Sequence, residues 1–254
     1  MINQLNFRQL GSGKDIIILH GLLGSLDNWI SVAHKLASNY KITILDLPNH
    51  GKSYHSDLFS YKEMADVLNN FIEKKNILNP TIIGHSMGGK VALQYAELFP
   101  KSISQLVVVD VFNREYDTKR FAHIFKAISV ISSSKFNSRK EANDLIKEIV
   151  VSEGERNFVL KNLKRNEDGF SWYPNVDLLN KSIFEISSKI HLSSKVDIST
   201  LFIKGQNSNY IMDEDIDGLP NLFSNFKVIE VPNSGHWVHA ENPSAFISTI
   251  ENFI

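Results

Sequence analysis

Three short stretches of the sequence carry residue types that can activate an alcohol. The first is Gly84-His85-Ser86-Met87-Gly88, followed by Gly89. It matches the pattern in which a serine caps a sharp strand-to-helix turn, with glycine two residues to either side because a side chain there would collide with the turn. Thr81-Ile82-Ile83 supplies the strand and Lys90 to Tyr95 the helix. In that setting Ser86 is the candidate nucleophile. The backbone N–H of Met87, at a helix N-terminus, faces the place where an oxyanion would form. The second stretch, His20-Gly21-Leu22-Leu23-Gly24-Ser25, follows an early apolar run and can add a second oxyanion donor, the backbone of Leu22. His20 reads as a residue that shapes this loop. The third, Asn233-Ser234-Gly235-His236-Trp237, places a histidine just past a late apolar run. Of the nine histidines, His236 alone joins a post-strand loop, a preceding glycine and the chain order Ser…Asp…His. His239, three residues on, is the competitor and is expected in the next turn or helix.

The acid has two candidate sources. The loop after the run Thr200 to Lys204 reads Gly205-Gln206-Asn207-Ser208-Asn209-Tyr210, with no carboxylate before Asp213 and Asp215. Asp110 instead closes the run after the nucleophile helix. A helix of about 12 residues travels roughly 18 Å away from Ser86. A strand of about 6 residues returns roughly 20 Å. Asp110 therefore comes back to the edge that carries Ser86 and is the favoured acid, with Asp213 or Asp215 as alternatives. Ser86, Asp110 and His236 together would perform acyl transfer: the histidine takes the serine proton, and the aspartate orients the imidazole and stabilises its charged form.

These residues need a scaffold that brings them to one rim. The runs Asp15 to His20, Ile42 to Leu47, Thr81 to Gly84, Gln105 to Asp110, Thr200 to Lys204 and Lys227 to Val231 are rich in Ile and Val and show little alternation. That is the pattern of strands buried on both faces of a parallel sheet. Leu5 to Gln9 adds an antiparallel edge strand. Helical periodicity at Asp27 to Ala37, Tyr61 to Lys74 and Met87 to Phe99 lies between the runs, which predicts an α/β fold with right-handed crossovers. From Phe112 to about Asp197 the rhythm stops. Helices are expected at Arg120 to Ile131, Ser138 to Val151, Glu155 to Arg165 and Val176 to Lys189, with a turn or irregular segment over Gly169 to Pro174. Residues 111–198 hold 15 Lys+Arg against 12 Asp+Glu, a mildly basic, solvated surface. The whole chain of 254 residues carries a formal charge of -1 and no cysteine, which excludes thiolate chemistry and gives no support to nucleic-acid binding. The N-terminus lacks the basic and apolar regions of a signal peptide, and no apolar run is long enough to span a bilayer. A cytoplasmic protein, monomeric or weakly dimeric, is expected.

Taken together, the chain resembles the α/β-hydrolase superfamily, and more closely the YbfF-type esterases and their mitochondrial abhydrolase-domain relatives. The matching stretches are His20 to Trp29, Asp46 to Ser53, Gly84 to Lys90, Val108 to Asp110, Gly205 to Ser208 and Gly235 to Glu241. One departure is Asp46-Leu47-Pro48-Asn49, where relatives often carry an arginine before the asparagine. The resemblance implies an α/β-hydrolase core over residues 1–111 and 198–254, a helical cap over 112–197 and an acid at the position of Asp110. It also implies hydrolysis of carboxylic esters, or of acyl thioesters, without metal or organic cofactor. Leu22, Leu23, Met87 and Trp237 are expected near Ser86. With Phe121, Phe125, Phe158, Phe170 and Trp172 they suggest an apolar pocket for a short to medium acyl group. C–C bond hydrolysis or a lyase step on the same three residues, and a non-catalytic receptor, are the competing readings.

Overall fold

The Ile- and Val-rich runs are strands, and all but the last, at the sheet edge, are largely buried on both faces. In the computed structural model, which describes residues 4–167 and 169–254, the chain begins with β1 (Phe7–Leu10), β2 (Asp15–Leu19) and α1 (Ile30–Leu36). It continues through β3 (Lys41–Leu45), α2 (Tyr61–Lys74), β4 (Thr81–His85), α3 (Met87–Leu98) and β5 (Gln105–Val109). An insertion follows, with α4 (Ala122–Ser133), α5 (Arg139–Ile146), α6 (Glu153–Lys161), β6 (Leu163–Asn166), β7 (Gly169–Trp172), α7 (Val176–Lys181) and α8 (Ile183–Ser187). The chain then returns through β8 (Ser199–Gly205), α9 (Asp213–Leu222), β9 (Phe226–Val231), α10 (Val238–Glu241) and α11 (Pro243–Glu251).

Seven strands form one sheet in the order β1-β3-β2-β4-β5-β8-β9. β1 runs antiparallel to β3 at the edge, and every other neighbouring pair is parallel. Alternate residues feed two cores. Ile17, Leu19, Ile82, Leu106, Val108 and Phe202 pack toward α2 and α3. Ile16, Ile18, Ile83, Val107, Leu201 and Ile203 pack toward α1 and α11. Fully burying one such side chain contributes about 1.5–3 kcal/mol. This double burial is why the runs lack polar alternation. The insertion has its own core of Ala127, Ile131, Ala142, Ile146, Val150, Leu160 and Leu163.

The register sets the site. Gly84 lies opposite Val108 and His85 opposite Val109, so β4 and β5 end level. The N–H of Ser86 donates to Val109 O at 3.0 Å, and that of Asp110 to Ile203 O at 2.8 Å. The residues that follow three adjacent strands are thus held on one rim.

The insertion departs from the expected run of helices. Leu163–Asn166, read from sequence as the end of a helix, is β6, and it pairs antiparallel with β7 over residues expected to be a turn. The helix expected over Ser138 to Val151 ends at Ile146, and the one over Val176 to Lys189 is two short helices, α7 and α8. Among the described residues no helix is long and apolar enough to cross a membrane.

Candidate active site

Ser86 stands between β4 and α3 with φ 53° and ψ −119°, a conformation that costs a non-glycine residue of order 1–3 kcal/mol. Close packing enforces it. A Cβ on Gly84 would strike the carbonyl oxygen of Gly88, and one on Gly88 would strike those of Leu19 and His20. The turn therefore sits tightly against the end of β2, and Ser86 lines a cavity with Leu22, Leu23, Phe121, Phe158, His236 and Trp237.

Asp110, fully buried, is a second left-handed residue, with φ 47°. Its Oδ2 accepts from Nδ1 of His236 at 2.8 Å and from the Ser208 hydroxyl, and its Oδ1 accepts from the N–H of Gly205 at 3.0 Å. The end of β8 and the loop that follows it, which holds no carboxylate of its own, thus supply one donor each to the carboxylate that follows β5. Because the carboxylate accepts the proton on Nδ1, Nε2 is left as the free acceptor on the His236 ring. Asp215 instead pairs with Arg114 at 3.2 Å and caps the start of α9 through Met212 N, and Asp213 is exposed on that helix.

The imidazole is also fixed by its surroundings. Tyr210 stacks on it with ring centroids 3.7 Å apart and planes 13° apart. His85 Nε2 donates to the His236 carbonyl at 2.8 Å. The Glu241 carboxylate accepts from Gly235 N at 2.7 Å and Trp237 N at 3.1 Å, clasping the loop on both sides of the histidine. Ser86 Oγ makes no hydrogen bond among the described residues; it and His236 face the same cavity.

The other buried histidines are held neutral by burial. His20 Nε2 accepts from Leu47 N at 3.0 Å, so its Nδ1 carries the proton and donates to Gly21 O at 2.8 Å. Burial lowers its pKa to about 4. His239 is stacked on Trp29 at 3.9 Å, and burial lowers its pKa to about 3. His85 is also held neutral by burial, with the neighbouring His236 acting in the same direction.

The backbone N–H groups of Leu22 and Met87 have no acceptor among the described residues. Both residues flank Ser86, Leu22 from the loop after β2 and Met87 from the first position of α3. Leu23, Phe121 and Trp237 line the cavity as expected from sequence. Phe125 and Trp172 do not. Phe125 is buried in the core, and Trp172 packs against the insertion's own core, its indole N–H donating to Ser132 Oγ at 2.9 Å. Phe170 likewise stacks on Phe136. Hydrophobic type alone does not separate a cavity wall from a helical core. Ser208, Tyr210 and Glu241 were not assigned roles from sequence. Ser208 and Tyr210 are neutral, Glu241 lies in the same stretch as His236, and only tertiary contact reveals what they hold. Among the described residues no three His, Asp or Glu side chains are grouped to hold a metal ion.

A family model described as alpha/beta hydrolase fold matches residues 15–128. Esterase YbfF of Escherichia coli (strain K12) is 33% identical, covering 96% of this chain and 94% of its own. The sn-1-specific diacylglycerol lipase ABHD11 of Danio rerio is 31% identical, with 96% and 79% covered. Among solved structures, a marine microorganism esterase superposes with a TM-score of 0.95 at 39% identity, over 99% of both chains.

Proposed function

This chain belongs to the α/β-hydrolase family and is a hydrolase of that fold, and from that premise we propose that it cleaves carboxylic esters through an acyl-enzyme on Ser86. The observation that carries the reading is that Ser86 and His236, the latter held by Asp110, line one cavity while the backbone N–H groups of Leu22 and Met87 beside Ser86 are unengaged. Neutral His236 accepts the Ser86 proton as Oγ attacks the ester carbonyl. Negative charge gathers on the carbonyl oxygen, where the N–H groups of Leu22 and Met87 and the N-terminus of α3 stabilise it. Losing one such donor typically costs about 10²–10³ in rate. His236 then gives its proton to the departing alcohol, or to the thiol of a thioester. Water repeats the attack with His236 again as base, releasing the acid and restoring Ser86. Asp110 holds the imidazole in the required tautomer and stabilises its positive charge.

Residues 112–197 act in this reading as a cap, with Phe121, Ile124 and Phe158 forming its wall of the cavity. The cavity volume, ≈ 140 Å³, is close to that of an apolar cavity that accepts benzene, about 150 Å³. A small-molecule substrate is therefore expected. The names of the relatives, esterase and lipase, support the same class. The test is hydrolysis of p-nitrophenyl esters by the purified chain. Ser86→Ala is expected to lower kcat by about 10⁴–10⁶ with the circular dichroism spectrum unchanged. Absence of turnover by folded wild-type protein, or full activity in Ser86→Ala, contradicts the proposal.

A further inference from the structure

Two cavities meet at Ser86. They share Leu22, Ser86, Phe121 and Tyr210, and otherwise have different walls. The larger, ≈ 140 Å³, includes His236 and Trp237. The smaller, ≈ 20 Å³, includes Met87, Lys90, Val111, Tyr116, Ile186 and Ser187 but not His236.

The chemistry assigns a substrate part to each. In the tetrahedral intermediate the former carbonyl carbon bears four groups: Ser86 Oγ, the oxyanion, the acyl chain and the leaving oxygen. The oxyanion is directed to the N–H groups of Leu22 and Met87. The leaving oxygen must lie within reach of His236, which protonates it. The alcohol therefore extends into the cavity that His236 lines, and the acyl chain takes the remaining direction, past Met87. We propose that the small cavity is the acyl subsite, restricting the acyl group to two or three carbons, while a bulkier alcohol fills the large one. This rests on the ester-hydrolase reading above.

Size and rigidity support the restriction. One water-sized sphere needs about 10–15 Å³ on this measure, so ≈ 20 Å³ accommodates a methyl group or little more. The floor is fixed. The Lys90 ammonium donates to the carbonyls of Arg114 at 3.2 Å, Ser187 at 2.9 Å and Ser188, and the Tyr61 hydroxyl donates to Ile186 O at 2.6 Å. The segment Ile186 to Ser188 is therefore tied to α2 and α3 and does not retreat easily from a longer chain. Its end is also polar. Ser187 is 3% exposed and its hydroxyl has no partner among the described residues, which disfavours an alkyl chain reaching that far.

The test compares p-nitrophenyl acetate, butyrate and octanoate, which share one leaving group, and then acetate esters of p-nitrophenol and 2-naphthol. The wild type is expected to lose about 10-fold or more in kcat/KM from acetate to butyrate, in the range seen when a methylene does not fit a pocket. It should lose further to octanoate, while accepting both acetates. Ile186→Ala is expected to raise the butyrate-to-acetate ratio by a similar factor. A wild-type preference that rises with acyl length overturns the subsite assignment and leaves the ester reading standing, and it decides the matter even if Ile186→Ala does not fold. An unchanged ratio in folded Ile186→Ala also overturns it. If no ester of either set is turned over, the ester reading fails, and this inference with it.

Discussion

The strand ends and the insertion face each other across one cavity, but they are held in place by different means. On the strand side, the backbone itself is set. Ser86, Asp110 and Leu23 adopt left-handed conformations, and the ends of β4 and β5 are level and bonded to each other, with β8 bonded alongside β5 and running two residues further. Across the cavity, much of the seating is by side chains reaching carbonyls. Lys90 and Tyr61 hold the end of α8, Asn162 Nδ2 donates to Leu23 O at 2.8 Å, and Asn113 Nδ2 donates to Ile190 O at 3.0 Å. In the proposed reading the reacting groups are thus anchored in the sheet, while the facing walls are seated by these polar links together with apolar side chains such as Phe125, Ile128 and Ile186 that join the core of the sheet. Binding and turnover should separate on mutation.

Lys90→Met gives the largest expected effect on the insertion. It removes a charged donor from several buried carbonyls. A net loss of about 2–5 kcal/mol in chemical denaturation is expected, since hydrogen bonds to charged groups contribute roughly 1.5–3 kcal/mol each and the carbonyls stay buried. KM for bulky esters should rise, while labelling of Ser86 by a small fluorophosphonate keeps its wild-type rate. A drop in labelling equal to the rise in KM would mean that strand ends and insertion are one unit.

Trp172→Phe should do least. It removes the indole bond to Ser132 from a residue outside the cavity, costing about 1 kcal/mol of stability. Kinetic constants should stay at wild-type values, and a clear rise in KM would return Trp172 to the cavity wall.

The same contrast explains what could be read from the chain. Strands buried on both faces, such as Ile16 to Leu19 and Leu106 to Val109, announce themselves because no polar residue is tolerated. Asp110 was reachable by counting the length of one helix and one strand. Ser208 was not, because a neutral hydroxyl in a polar loop resembles any other until it meets the carboxylate. In the insertion, Leu163-Lys164-Arg165-Asn166 has one buried and three exposed residues and good helix formers. Its pairing with Gly169–Trp172 overrides that preference. Phe121 and Phe158 line the cavity while Phe125 and Trp172 do not, because the way a helix or strand faces its neighbours is not written in residue type.

The central claim is that Asp110, and not a carboxylate of α9, orients His236 for reaction at Ser86. The direct measurement is kcat for one good ester with wild type, Asp110→Asn and Asp215→Asn, each checked for native folding. Asp110→Asn is expected to lose about 10⁴ because the imidazole is turned to the wrong tautomer, and Asp215→Asn to stay near wild type. A loss of only a few-fold in Asp110→Asn, or a larger loss in Asp215→Asn, contradicts the account.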